Sequence, residues 1–267
     1  MKTIILWELR QRRTSILWWT LSAVVLVAVL LLVYPSIRDQ ATQLNKVLNQ
    51  LPAGLRQLKT GGTQVDVASP VGYLNSQLYY ATLPILLIIL AVGRGSNLIG
   101  RDEQDHTLEL LLARPISRGK VLLAKALSGM LETLIVISVV TLAIMVLAKP
   151  VKLDIASMRL VVTSLYTWLF CLSFGAIAFA LTAAGRLTKR SSTGIAVFVA
   201  FGGYILASLS GLTHYLVNPA KLAPYHYFAP DKILQGQHAT GLNIYLVGVF
   251  VLTIFVSYTG FRSRDIE

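Results

Sequence analysis

Residues Ile16–Tyr34 read ILWWTLSAVVLVAVLLLVY, nineteen residues with no charge among them. As a helix this stretch is roughly 28 Å long, close to the ~30 Å hydrocarbon core of a bilayer, and a helix satisfies its own backbone where water cannot. Lys2, Arg10, Arg12 and Arg13 precede it, as in a secretory leader. The run is longer than a leader core, however, and Tyr34-Pro35-Ser36-Ile37-Arg38 offers no small-x-small cleavage site, so it reads as a retained first span.

Similar blocks recur. With the first at 16–34, apolar runs stand at about 74–99, 121–147, 160–184, 193–213 and 242–261. The chain is 55% apolar and only 13% charged, with a mean hydropathy of +0.65 over 267 residues, which leaves too little polar sequence to cover six buried helices in water. The fold class expected is therefore an all-α integral membrane protein, with six transmembrane helices in a single transmembrane domain over 1–267.

The formal charge of +12 could suggest nucleic acid, but Lys and Arg sit mostly in short connections between spans, where anionic lipid headgroups are the expected contact. No nucleic-acid partner is expected. With the N-terminus inside, 15 basic residues fall on the cytoplasmic side and 9 outside, although the outer segments are longer. Both termini are thus expected in the cytoplasm, and the basic charge with short cytoplasmic loops fits a prokaryotic plasma membrane. The single cysteine, Cys171, allows no intramolecular disulfide or cysteine cluster, and the histidines lack zinc spacing, so no metal site is expected.

Ahead of the first span, Met1–Arg13 mixes Ile4, Ile5, Trp7 and Leu9 with basic residues. This suits either an interfacial helix in the headgroup layer or topology control by charge alone. Trp18 and Trp19 follow where interfacial aromatics are expected. Beyond the span, Ile37, Ala41, Leu44, Leu48 and Leu51 mark one helical face, which Leu55 and Leu58 continue past Pro52 and Gly54. An outer amphipathic helix is predicted there, resting on the surface or packed against the spans.

Between the second and third spans the chain concentrates charge, an apolar stripe and a stop, from Gly100 to Lys125. Asp102, Glu103 and Asp105 are expected at the start of a helix, where its dipole favours acids. Leu108, Leu111 and Leu112 form its apolar face, Pro115 ends it, and Ser117 caps the helix leading into the third span with Lys120 and Lys125 near the membrane surface. Such a helix suits a groove on a cytosolic partner; an ordinary solvated loop is the plainer reading.

Thr107-Leu-Glu-Leu-Leu-Leu112 followed by Pro115-Ile-Ser-Arg118 resembles the ABC-2 type permeases, whose pattern here is an acidic stretch, Gly-Thr-Leu-Glu-Leu-Leu-Leu and Pro-x-Ser-Arg. His106 departs from the usual glycine. Weaker likeness extends to Leu51-Pro52, Gly72-Tyr73-Leu74, Leu222–Phe228 and Phe261–Ile266, so the resemblance spans nearly the whole chain. It implies an export permease that pairs with a second permease, identical or related, and with two cytosolic ATPase subunits, which would carry the ATP and Mg. It further implies that 102–118 is a coupling helix, with Asp102, Glu103, Asp105, Thr107, Leu108, Glu109, Leu111, Arg114, Pro115, Ser117 and Arg118 at the ATPase. Glu103, Glu109 and Arg118 would make polar contacts there, and Leu108 and Leu111 the apolar anchor.

The chain has no Gly-x-x-x-x-Gly-Lys-Ser/Thr loop to cradle phosphates, so it is not read as an enzyme, and a partner must supply the ATPase. Glu132 falls near the middle of the third span, where a charge needs a partner or a polar cavity. It is a candidate for the transport pathway or a subunit interface, or else a structural glutamate. Arg94 is expected to snorkel to the headgroups. Gly175, Ala176, Ala180 and Ala184 offer a close-packing face. Tyr225-His-Tyr-Phe228 reads as an interface belt. A membrane-embedded enzyme would call for motifs such as His-Glu-x-x-His or Gly-x-Ser-x-Gly, which are missing. A secondary transporter would call for more polar residues and broken spans than Glu132 alone supplies.

Overall fold

A computed structural model describes residues 1–40, 69–105, 107, 116–185, 187–210 and 214–263. Helix α1 (Lys2–Gln11) meets α2 (Arg13–Asp39) at Arg12. Helices α3 (Pro70–Gln104), α4 (Arg118–Ala148), α5 (Ser157–Ala183), α6 (Lys189–Leu209) and α7 (Thr240–Arg262) follow. Among the described residues, α2 to α7 are the six helices long and apolar enough to cross a bilayer, and no strand occurs. The chain is an all-α integral membrane protein.

Helices α3 and α5 form the centre. Their most apolar windows are 72% and 61% buried, against 17% and 22% for α2 and α7, whose apolar faces are left for lipid. Small residues permit the central contact: a β-carbon on Gly175 would lie 2.7 Å from the Ala91 carbonyl oxygen, and one on Gly95 would overlap the Gly175 carbonyl. Of the expected close-packing face, Gly175 packs on α3, Ala184 lies against Gly260 of α7, and Ala176 lines an open groove. Hydroxyls on the spans fold back on their own helices, as Thr163 on Arg159 O (2.7 Å) and Thr182 on Ala178 O (2.9 Å), which spares them an unpaired state in lipid. Trp168 Nε1 donates to Thr133 Oγ1 at 3.0 Å, joining α5 to α4.

Helix α3 begins with Pro70 in its first turn and with Gly72 N donating to Ser69 Oγ (3.1 Å). It then passes through a π-helical stretch, Leu74–Tyr79, before the regular helix Thr82–Gln104. Tyr73, within the Gly72-Tyr73-Leu74 motif, donates its hydroxyl to Leu30 O on α2.

The short helices between α6 and α7 correct one expectation. Tyr225 and Phe228 are buried rather than exposed in an interface belt: Phe228 stacks on Phe170 with ring centres 4.3 Å apart, and Tyr225 meets Phe170 edge-on at 4.9 Å. Only His226 and Tyr227 of that tetrad face outward. A turn spanning Pro224–His226 folds the aromatic pair inward, so burial of two large rings outweighs their interfacial preference. Cys171 is likewise a buried packing residue. Of the outer amphipathic stripe, Ile37 lies in the last turns of α2, and Ala41 to Leu58 lie outside the described residues.

Candidate functional site

Helix α1 buries one residue, Glu8, the sole acid among the first thirteen. A lone carboxylate surrounded by helices is costly unless cations meet it. Two do. Arg94 Nη2 of α3 donates to Glu8 Oε2 at 2.9 Å, and Lys125 Nζ of α4 donates to Glu8 Oε1 at 2.9 Å. Burial raises the Glu8 carboxyl, but the Lys125 ammonium and the Arg94 guanidinium overcome that, and its pKa lies below the ordinary glutamate value.

Each cation then takes a second acid. Arg94 Nε pairs with Glu132 of α4, and Lys125 Nζ pairs with Asp102, in the last turn of α3, at 2.5 Å. Arg94, Lys125 and Glu132 are 4%, 2% and 1% exposed, so this is an internal network and not a surface one. Helix periodicity explains the alternation. Lys125 and Glu132 stand seven residues apart, two turns along one face of α4, and Arg94 and Asp102 stand eight apart on α3. The two antiparallel rows oppose their signs.

Three acids face two cations, and Arg12 supplies a third at the α1–α2 junction. Burial and the neighbouring Arg94 push the Arg12 pKa down, while Glu132 and Glu8 pull it up. The network thereby joins α1, α3 and α4 at near charge balance.

One expectation is corrected here. Arg94 does not snorkel outward, and Lys125, expected near the membrane surface, is buried inside the bundle; each finds two carboxylates within reach, a stronger draw than the headgroups once helix packing has excluded water. Glu132 has the partner that a charge in mid-span needs, and that partner is Arg94; the neighbouring Thr133 is engaged by Trp168. Glu8 was missed by sequence reasoning, although a single acid in a strongly basic leader was a signal.

The network reaches the first residue of the 102–118 stretch through the Lys125–Asp102 pair. Asp102 and Glu103 occupy the last turn of α3 and Asp105 its C-cap, because the apolar run of the second span carries its helix through Gln104; the helix expected to follow them lies outside the described residues. Lys125 and the Arg101–Asp105 pair (3.2 Å) offset the unfavourable dipole. Thr107 closes the turn, with its N and Oγ1 donating to Asp102 O at 2.8 and 3.3 Å. Ser117 stands at the N-cap of α4 as expected, with its carbonyl, and not its side chain, accepting from Lys120 N and Val121 N. Arg118 Nη1 donates to Arg262 O at the end of α7 (3.3 Å), and Lys189 Nζ of α6 reaches Gln104 Oε1 at 3.5 Å. Leu108, Glu109, Leu111, Arg114 and Pro115 lie outside the described residues.

Residues 2–266 match the model of a family described as ABC-2 family transporter protein. Neither the curated proteins nor the solved structures contain a match. The family match spans nearly the whole chain and agrees with the six spans, so this chain belongs to the ABC-2 transporter family and is a multi-pass membrane permease of that type.

Proposed function

We propose that this permease works with two separate ATPase subunits, docked at 102–118, and that the buried charge network carries their motion into the spans. One observation supports this above the others: Asp102, at the rim of the docking segment, begins a continuous series of ion pairs through Lys125, Glu8 and Arg94 to Glu132 in mid-bundle. The stems of the segment also touch α6 and α7 through Lys189 and Arg262. A shift of the segment would reach α1, α6 and α7 as well as its own stems, α3 and α4.

In this reading ATP and Mg are held by the ATPase subunits, and the closing of that pair moves Asp102 and Arg118 together. Ion pairs suit such a switch because Lys125 and Arg94 each hold two acids, so that either cation can keep one partner while the other is drawn away. The second permease is an identical or related copy, both termini are cytoplasmic, and the direction is export from a prokaryotic cell across the plasma membrane.

The test begins with affinity purification of the tagged chain in mild detergent from its native host, for wild type and for Glu103→Ala with Leu108→Ala. The reading expects an ATPase subunit that the double variant releases. A further variant, Lys125→Met, should retain the ATPase subunit yet lose stimulation of hydrolysis by transport. A chain that purifies alone and is indifferent to these changes would overturn the coupling role and favour a secondary transporter.

A further inference from the structure

A groove of about 700 Å³ opens between α4 and α7, floored by the close-packed α3 and α5. Its size falls within the roughly 300–1,000 Å³ of small-ligand sites. The walls are almost wholly apolar, among them Leu98, Leu172 and Phe179, and its rims are lipid-exposed side chains, with Leu123 on α4 and Ile254 on α7 at 51% and 67% exposure. Access is therefore lateral, from hydrocarbon.

The groove has a defined length and a defined polarity. It is lined from Ser117 to Thr133 along α4, roughly 24 Å of helix, about half the 40–45 Å thickness of a complete bilayer. One leaflet, headgroup included, has that depth. At its end near the 102–118 stems it merges with a smaller pocket of about 240 Å³, the two sharing Ser117, Gly119, Leu122 and Tyr258. Lys120, Arg118 and Arg262 gather there, and no described residue lining either pocket is acidic.

We propose that this groove is a binding site for an anionic phospholipid of the leaflet at that end of the bundle, its acyl chain along α4 and α7 and its phosphate held by Lys120 and Arg262. A purely apolar guest would leave the basic mouth unused, and a free phosphate would leave the groove empty. The site does not depend on docking of an ATPase, since all of its residues belong to this chain.

The full-length chain is reconstituted in phosphatidylcholine vesicles carrying a trace of diazirine-tailed phosphatidylglycerol or, in parallel, diazirine-tailed phosphatidylcholine. After illumination, peptides holding Leu172 and Ile254 should carry at least about fivefold more of the anionic lipid, the gain expected of even one basic contact at a membrane surface. Lys120→Glu with Arg262→Glu should reduce that label to the phosphatidylcholine level, and inorganic phosphate should not compete. Ala176→Trp, which fills the groove, should remove label from both lipids at these peptides; if that variant fails to fold, the charge-reversal pair decides alone. Equal labelling by the two lipids, or labelling unmoved by charge reversal, would overturn the proposal and leave the groove to bulk lipid. In Ile254→Cys protein, disulfide cross-linking of two copies with no lipid label at that peptide would overturn it in favour of an interface between permeases.

Discussion

Arg94 and Glu132 form an ion pair between α3 and α4 in which both side chains are almost fully buried, and Arg94 holds Glu8 of α1 with its other nitrogen. One guanidinium thus joins three helices. Its planar fork presents separate nitrogens to the two carboxylates, whereas Lys125 serves its two acids from a single ammonium.

Arg94→Met should therefore be among the most damaging single changes to this chain, because it leaves two carboxylates buried with fewer cations. Breaking a buried pair from one side costs about 3–5 kcal/mol. Adding Glu132→Gln should recover part of the loss, since a neutral amide needs no counter-charge. Thermal unfolding in detergent of the two singles and the double variant measures this; equal stability of Arg94→Met and wild type would contradict it.

Docking of α1 should depend on pH through Glu8. Its pKa is lowered in the folded chain, so this carboxylate contributes stability above the ordinary glutamate value, about 4.3, and that contribution is lost as pH falls through the lower folded value. Protection factors for hydrogen exchange at residues 2–11, taken relative to the intrinsic exchange rate at each pH, should be high at pH 7 and fall below about pH 4. Glu8→Gln should show the lower protection already at pH 7 and a flatter pH response.

Two glycines one turn apart or less should behave oppositely. Gly95→Ala forces a methyl against the Gly175 carbonyl, whereas a β-carbon at Gly93 meets nothing within 4 Å. Overpacking of this kind costs about 1–3 kcal/mol, and an unhindered Gly93→Ala should lie within about 0.5 kcal/mol of wild type. Thermal scans of the two variants side by side distinguish a real close approach from a general tolerance of alanine.

Thr133→Val should leave the Trp168 indole N–H, buried between α4 and α5, without its acceptor, at a cost of about 1–3 kcal/mol. In a Trp168→Phe background the same valine should cost much less. A double-variant cycle on detergent-solubilised protein reads the difference, and additive losses would show that the bond contributes little.

The six spans were legible in the sequence because crossing a bilayer is a local requirement: about twenty apolar residues in succession suffice, whatever lies elsewhere in the chain. The motif from Thr107 to Arg118 was legible for the same reason, being contiguous. What the tertiary structure decided is which helices are neighbours, and with that the fate of every charged residue inside them. Arg94 taken alone reads as a snorkelling residue and Lys125 as a lysine near the membrane surface. Only when α3 and α4 lie antiparallel with α1 folded over them do Glu8, Asp102 and Glu132 come within hydrogen-bonding reach. The burial of Tyr225 and Phe228 against Phe170 was hidden in the same way. Hydropathy measures a residue's cost of leaving water, whereas a buried ion pair depends on a partner brought from 117 positions away in the chain, and that juxtaposition exists only in the packed bundle.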